Sequence, residues 1–332
     1  MDNNELQAKL RELDEKVKAS MCGMEHSKST TAVPEGDFAV CFGGGGGKGA
    51  YEAGVIKALA KYDMFKRIKA VSGASIGALN SMLYNMQDPE LPEKVWKDIK
   101  FETVFEADPS LMFNGKPGFF NRKGLVDILN RYIDFDKFYA GNISTYINTT
   151  VISDGARKEN YYKLNDLPKD EIIDLLCAAS ALPFLYESVT YENQEMVDGG
   201  LSNNIPVEVL YHNGYRHIIV VGCGRKNAKD LSGYKDADFI EIYPSVYLGD
   251  LIDGTLNYSK KDILFRIELG YRDALRALKL YFTDDPCYKE QLPLLEQNDL
   301  NEIKAKFRYM DISDQVSDNM KNLTDMISKY DK

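Results

Sequence analysis

Short apolar runs along this chain alternate with stretches in which apolar residues recur every three or four positions. The run Asp37-Phe38-Ala39-Val40-Cys41-Phe42 stops abruptly at five glycines, and its unbroken apolar character predicts a strand buried on both faces. From Ala50 to Tyr62, Ala53, Ile56, Leu59 and Ala60 share one side of a predicted helix. Ile68–Ser72 reads as a second strand and Ala74–Asn85 as a second helix, with later strands expected at Thr145–Ile152 and His217–Gly222. Strand, glycine loop, helix, strand, sharp turn and helix make a βαβ unit extended by one βα step. The expected class is therefore α/β, with a doubly wound, mostly parallel sheet covered on both faces by helices.

The flanks depart from this rhythm. Leu6, Leu10, Leu13 and Val17 form an apolar stripe on a charged helix, which either docks on its own domain or pairs with a second copy as a short coil in a homodimer. A loop rich in Gly, Ser, Thr and Pro then runs to Gly36, so residues 1–36 are read as a helical extension and linker. Residues 101–141 gather Phe101, Phe105, Phe113, Phe119, Phe120, Phe135 and Phe138 among Gly115, Pro117, Gly118 and Gly124. Such an insert caps a core or closes as a lid over an apolar substrate. Beyond residue 245 the chain reads as helices carrying Leu264, Leu275, Leu278 and Leu280, with no evident chemistry.

Composition narrows the function. With 332 residues, 44% of them hydrophobic, the chain can bury a large core. Its 51 acidic residues outnumber 41 basic ones, giving a net charge of −10, which argues against nucleic acid as the main partner. No apolar run approaches the ~18 residues of a membrane span. Cys22, Cys41, Cys177, Cys223 and Cys287 are scattered and suggest neither a disulfide framework nor a zinc site. The charged, helical start and the cysteine usage lead to an expected cytoplasmic location.

Three elements carry chemistry. Gly43-Gly44-Gly45-Gly46-Gly47-Lys48-Gly49 joins a strand end to a helix start, where free N–H groups favour an anion. Phe42 and Gly49 stand where a phosphate-binding P-loop needs Gly and Ser or Thr, and the second strand ends without the acid that a dinucleotide site requires. Gly73-Ala74-Ser75-Ile76-Gly77 has the strand-to-helix setting of a nucleophile elbow. On adjacent strands, loop and elbow would put the Ser75 nucleophile beside an oxyanion hole. The base is the difficulty. Only three histidines occur: His26 precedes the core, His212 sits at a helix end, and His217 begins a strand. Asp198, followed by Gly199-Gly200, is the better candidate, although Asp-Gly is also an ordinary turn. Its reference pKa lies below that of His by a margin worth roughly 3.5 kcal/mol, and burial can recover much of it.

These elements, in this order, resemble the patatin-like phospholipase family. Gly44-Gly45-Gly46-Gly47-Lys48-Gly49 is similar to its oxyanion motif, Gly73–Gly77 to its elbow and Asp198-Gly199-Gly200 to its acid element. Ala179-Ser180-Ala181-Leu182-Pro183 and Asn203-Asn204-Ile205-Pro206-Val207 look family-like too. Gly43 and Lys48 depart from plant members, which often carry Asp and Arg there, and look like bacterial ones. The resemblance covers about residues 37–285, which it implies to be the acyl-hydrolase domain, and leaves 286–332 as a C-terminal helical extension. It implies an α/β/α sandwich and acyl-ester hydrolysis by a Ser75–Asp198 dyad, with no metal or other cofactor. The oxyanion would rest on Gly44, Gly45, Gly46 and Gly47. Lys48 either favours anionic head groups or is a solvated loop residue. The expected substrate is a lipid or phospholipid met at a membrane surface, with the protein peripheral to it. The alternatives are a soluble carboxylesterase or thioesterase with the same dyad, and a nucleotide-binding module without hydrolysis.

Overall fold

The computed structural model describes residues 36–330 apart from 111–117, 154, 226–227 and 284, and side chains as far as 311. The stripe from Leu6 to Val17, the dimerising coil expected from it, His26, Cys22 and Phe113 lie outside the described residues. The strands are β1 (Phe38–Phe42), β2 (Ile68–Gly73), β3 (Ser144–Ser153), β4 (Ala156–Lys163), β5 (Val189–Tyr191), β6 (Gln194–Asp198), β7 (His217–Val221) and β8 (Asp238–Ile242). The helices are α1 (Ala50–Lys61), α2 (Ile76–Asn85), α3 (Leu91–Asp98), α4 (Phe101–Val104), α5 (Lys123–Tyr132), α6 (Phe135–Ala140), α7 (Lys169–Ala179), α8 (Val207–His212), α9 (Lys260–Thr283) and α10 (Pro286–Tyr330).

All strands join one sheet in the order β5-β6-β3-β2-β1-β7-β8, with β4 beside β3. Alternate residues of β1 serve different layers, which is why the whole strand is apolar. Phe38, Val40 and Phe42 pack with α1 and α9, whereas Ala39 and Cys41 pack with Val207, Val209 and Leu210 of α8. Helices thus cover both faces, as expected. From β3 through β8 the neighbouring strands are parallel. At the other end β4, β5 and β6 pair antiparallel, so the sheet is mostly parallel, as expected, with an antiparallel end that makes it mixed. β4 (ARKENYYK) is largely polar and partly exposed, and its residues give no apolar run to read as a strand.

The aromatic insert mainly caps the core. Phe105, Phe135 and Phe138 are buried and Phe120 packs on them, while Phe101 and Phe119 stay exposed. Along α10, Ile303 and Phe307 are buried in the cluster that includes α1 and α9.

Candidate active site

The site forms because two strands end against the same edge of β3. The first half of that edge pairs with β2, placing Gly73 beside Ile147. The second half pairs with β6, placing Asp198 beside Thr149, while β4 occupies the opposite edge. β2 and β6 therefore run toward each other, and the chain leaving each meets the other.

After β2 the backbone turns sharply. Ser75 has φ 52°, in the left-handed region that a side chain rarely adopts, and forms the N-cap of α2. This turn delays the helix to Ile76, two residues later than its apolar pattern predicts. The flanking glycines are required by space: a Cβ on Gly73 would stand 2.2 Å from the Gly77 carbonyl oxygen, and one on Gly77 would stand 2.3 Å from that of Phe42. Ser75 Oγ donates a hydrogen bond to Asp198 Oδ2 at 2.6 Å. The other carboxylate oxygen accepts from the Gly200 N–H at 2.7 Å, so the Asp-Gly-Gly turn fixes the orientation of the acid. Asp198 is 3% exposed. Burial pushes its pKa up to about 6, against the lowering effect of the Ser75 and Gly200 hydrogen bonds.

The glycine loop lies beside this pair. Gly43 N–H bonds to the Val221 carbonyl, and Gly44 N–H to that of Asn204 at 3.1 Å. Asn204 Nδ2 returns a bond to the Gly44 carbonyl, clasping the loop from the Asn203–Val207 stretch. Gly44 N–H is thereby engaged within the fold, which separates it from the other three glycines expected at the oxyanion position. Among the described residues no hydrogen bond takes up the N–H groups of Gly45, Gly46 or Gly47. Gly46 has φ +56°, and a Cβ there would stand 2.4 Å from the Thr255 carbonyl oxygen.

Two features escape the sequence reading. Behind the loop, Glu52 is completely buried and accepts from Asn80 Nδ2 at 2.6 Å. Asn80 also donates to the Gly49 carbonyl and accepts from Trp96 Nε1. Burial pushes the Glu52 pKa up to about 8, so the group is largely neutral at pH 7. An acid on the apolar side of α1 was the available signal. The other feature is the segment before α9, which looked chemically empty: Leu251, Thr255, Leu256 and Tyr258 wall the site, held by Arg266 bonding to the carbonyls of Asn257 and Asp253.

Neither described histidine joins the site. His212 is exposed at the end of α8. His217 stacks on Phe38 at the opposite end of the sheet strands, with Nδ1 3.4 Å from Asp238 Oδ2. Four residues separate it from the end of β7, roughly 13 Å at the rise of a strand.

Ser75 and Asp198 open into a cavity of about 500 Å³. Its walls are mostly apolar, with Leu79, Phe105, Ile128, Leu185 and Tyr258 among them, and its charged members are Lys48, Arg122 and Asp198. Phe184, 72% exposed, sits between the lining residues Leu182 and Leu185, and Ile252, 80% exposed, follows the lining residue Leu251.

The chain is similar in fold to the type III effector ExoU, at 16% identity and a TM-score of 0.48 over 75% of this chain and 53% of that one. It is similar also to VipD from Legionella pneumophila, at 12% identity and a TM-score of 0.40 over 75% of this chain and 68% of that one. A third similar structure is the ExoU–SpcU complex of Pseudomonas aeruginosa, at 15% identity and a TM-score of 0.38 over 82% of this chain and 59% of that one. The chain thus spans about half the length of the ExoU chain it matches. No curated protein sequence matches it. The family model of patatin-like phospholipases matches residues 40–211, a stretch that runs from β1 to α8 and contains the glycine loop, Ser75 and Asp198. By that match the chain belongs to the patatin-like phospholipase family.

Proposed function

We propose that this protein is a serine acyl hydrolase that cleaves fatty-acyl esters of lipids through Ser75 and Asp198, with no metal or other cofactor. The observation that carries the reading is the 2.6 Å hydrogen bond from Ser75 Oγ to a buried carboxylate at the mouth of an apolar cavity. Asp198 accepts the Ser75 proton as Oγ attacks the ester carbonyl, forming a covalent acyl-enzyme. The N–H groups of Gly45, Gly46 and Gly47 hold the oxyanion, while Gly44 keeps the loop in place through Asn204. Asp198 then protonates the departing alcohol and activates the water that releases the acid.

A pKa near 6 suits both halves of this cycle, since the carboxylate is mostly ionised at pH 7 yet basic enough to take a proton. The apolar walls accept an acyl chain, and the exposed Phe184 and Ile252 beside the mouth favour a substrate drawn from a lipid surface over a freely soluble ester. On this reading the protein works as a peripheral enzyme on the cytoplasmic face of a membrane, and residues 37–285 form the hydrolase unit.

A fluorophosphonate probe tests the reaction class. The parent should be labelled at Ser75, and Ser75→Ala should not. A folded parent that resists labelling would instead favour a binding module.

A further inference from the structure

We infer that Arg122 selects substrates bearing an anionic oxygen group, a phosphate or a carboxylate, beside the apolar chain; this rests on the hydrolase reading of the cavity. Arg122 precedes α5 and reaches the cavity wall. One terminal nitrogen donates to the Glu187 carbonyl, and the guanidinium lies 5.9 Å from the Tyr186 ring centre. Its Nε is buried without a hydrogen-bond partner. Among the described residues no carboxylate forms an ion pair with it, whereas Arg216 has one such partner, Arg276 two and Arg272 three. Burial presses its pKa down, but a guanidinium keeps its proton at neutral pH.

A cation partly withdrawn from water, with Glu187 acting on it but no carboxylate paired with it, is unfavourable, and an anion placed against it relieves the cost. The planar fork matches the oxygens of a phosphate or carboxylate. Among the described residues Asp198 is the only acid lining the cavity, and it is turned to Ser75 and Gly200, while Lys48 adds a second positive charge. The cavity is thus poised for an anion although the whole chain carries −10. The source is either the phosphate of an intact phospholipid or the carboxylate of a released fatty acid.

The test uses the full chain and its variants Arg122→Gln and Arg122→Lys. Phosphatidylcholine and diacylglycerol with identical acyl chains are compared in the same nonionic micelles, and palmitate is added as an inhibitor of diacylglycerol cleavage. For a phosphate site, the ratio of kcat/KM on phosphatidylcholine to that on diacylglycerol falls at least tenfold in Arg122→Gln, mainly through KM, and Arg122→Lys recovers part of it. For a carboxylate site, that ratio holds while palmitate inhibition weakens at least tenfold. An unchanged ratio with unchanged inhibition overturns the assignment, whatever the absolute rates, and leaves Arg122 as a tether for Glu187. If the parent cleaves neither lipid, calorimetry with hexadecylphosphocholine and palmitate separates the two claims. Binding of either amphiphile to the parent, weakened at least tenfold in Arg122→Gln, upholds Arg122 while the hydrolase reading falls; equal binding to both proteins, or none to the parent, overturns Arg122 as well.

Discussion

Gly73 and Asp198 end their strands two positions apart on one edge of β3, the first beside Ile147 and the second beside Thr149. This head-on arrangement brings Ser75 to Asp198 across 123 residues of sequence. A carboxylate placed there is 3% exposed, and that burial makes it a stronger base. On the proposed mechanism, catalytic competence depends on sheet topology as much as on the two side chains.

The acid limb of the pH profile should report Asp198. Its pKa is raised to about 6, and the base must be ionised to take the Ser75 proton. On a short soluble ester, kcat/KM should rise through an inflection near pH 6 and level off before the alkaline limb. An inflection near 4 would mean the carboxylate is solvated during turnover.

The alkaline limb should report Glu52. Its carboxyl is pushed up to about 8 by burial, so raising the pH past that value forces a charge into the network behind the glycine loop. Activity and melting temperature should both decline as pH rises through 8, and the melting temperature should level above it. Glu52→Gln keeps a neutral side chain there and should flatten that decline. Identical alkaline profiles for the two proteins would dissociate Glu52 from the loop.

The topology was legible where its signals are local. β1, α1, β2 and the elbow announce themselves by apolar patterns that stop at glycines. The antiparallel end was not legible, because β4 is polar and β5 has only three residues. Sequence order also cannot place Leu251–Tyr258 against the glycine loop, since that contact is closed by Arg266 from α9. Glu52 and Asn80 satisfy each other only once α1 and α2 are packed side by side.

Gly46→Ala should lose at least ~10²-fold in kcat, the usual effect of losing one oxyanion donor. The new Cβ would press on the Thr255 carbonyl from a left-handed backbone conformation. The loop must shift, and its N–H groups with it. Thermal unfolding measured alongside the kinetics separates lost catalysis from lost folding. A folded variant with full activity would release the loop from its assigned role.

The exposed rim predicts a substrate-dependent loss. Changing Phe184 and Ile252 together to Ser should reduce binding and turnover on phospholipid vesicles at least tenfold, while a short soluble ester is cleaved within twofold of the parent. Phe120→Ser is the contrast. Its ring packs on Phe105 and Tyr186, so that change should damage activity on both substrates. Equal losses on vesicles and soluble ester for the Phe184 and Ile252 pair would make them ordinary structural residues.

The rate of soluble-ester hydrolysis by Asp198→Asn tests the dyad most directly. Asn can accept the Gly200 N–H and still hydrogen-bond Ser75, but it cannot take a proton. The fold should gain by the change. The buried acid has its pKa raised from 3.8 to about 6, so its contribution to stability is present at low pH and is lost as pH rises through 6. At pH 8 the variant should be more stable than the parent by up to about 3 kcal/mol, at ~1.4 kcal/mol per pKa unit. Unfolding therefore would not account for a lost rate. Asp198→Asn should turn over at near-background rate, with His212→Ala and His217→Ala within a few-fold of the parent. Parent-like turnover by the folded Asn variant, or its loss in either His variant while still folded, would contradict the Ser75–Asp198 mechanism.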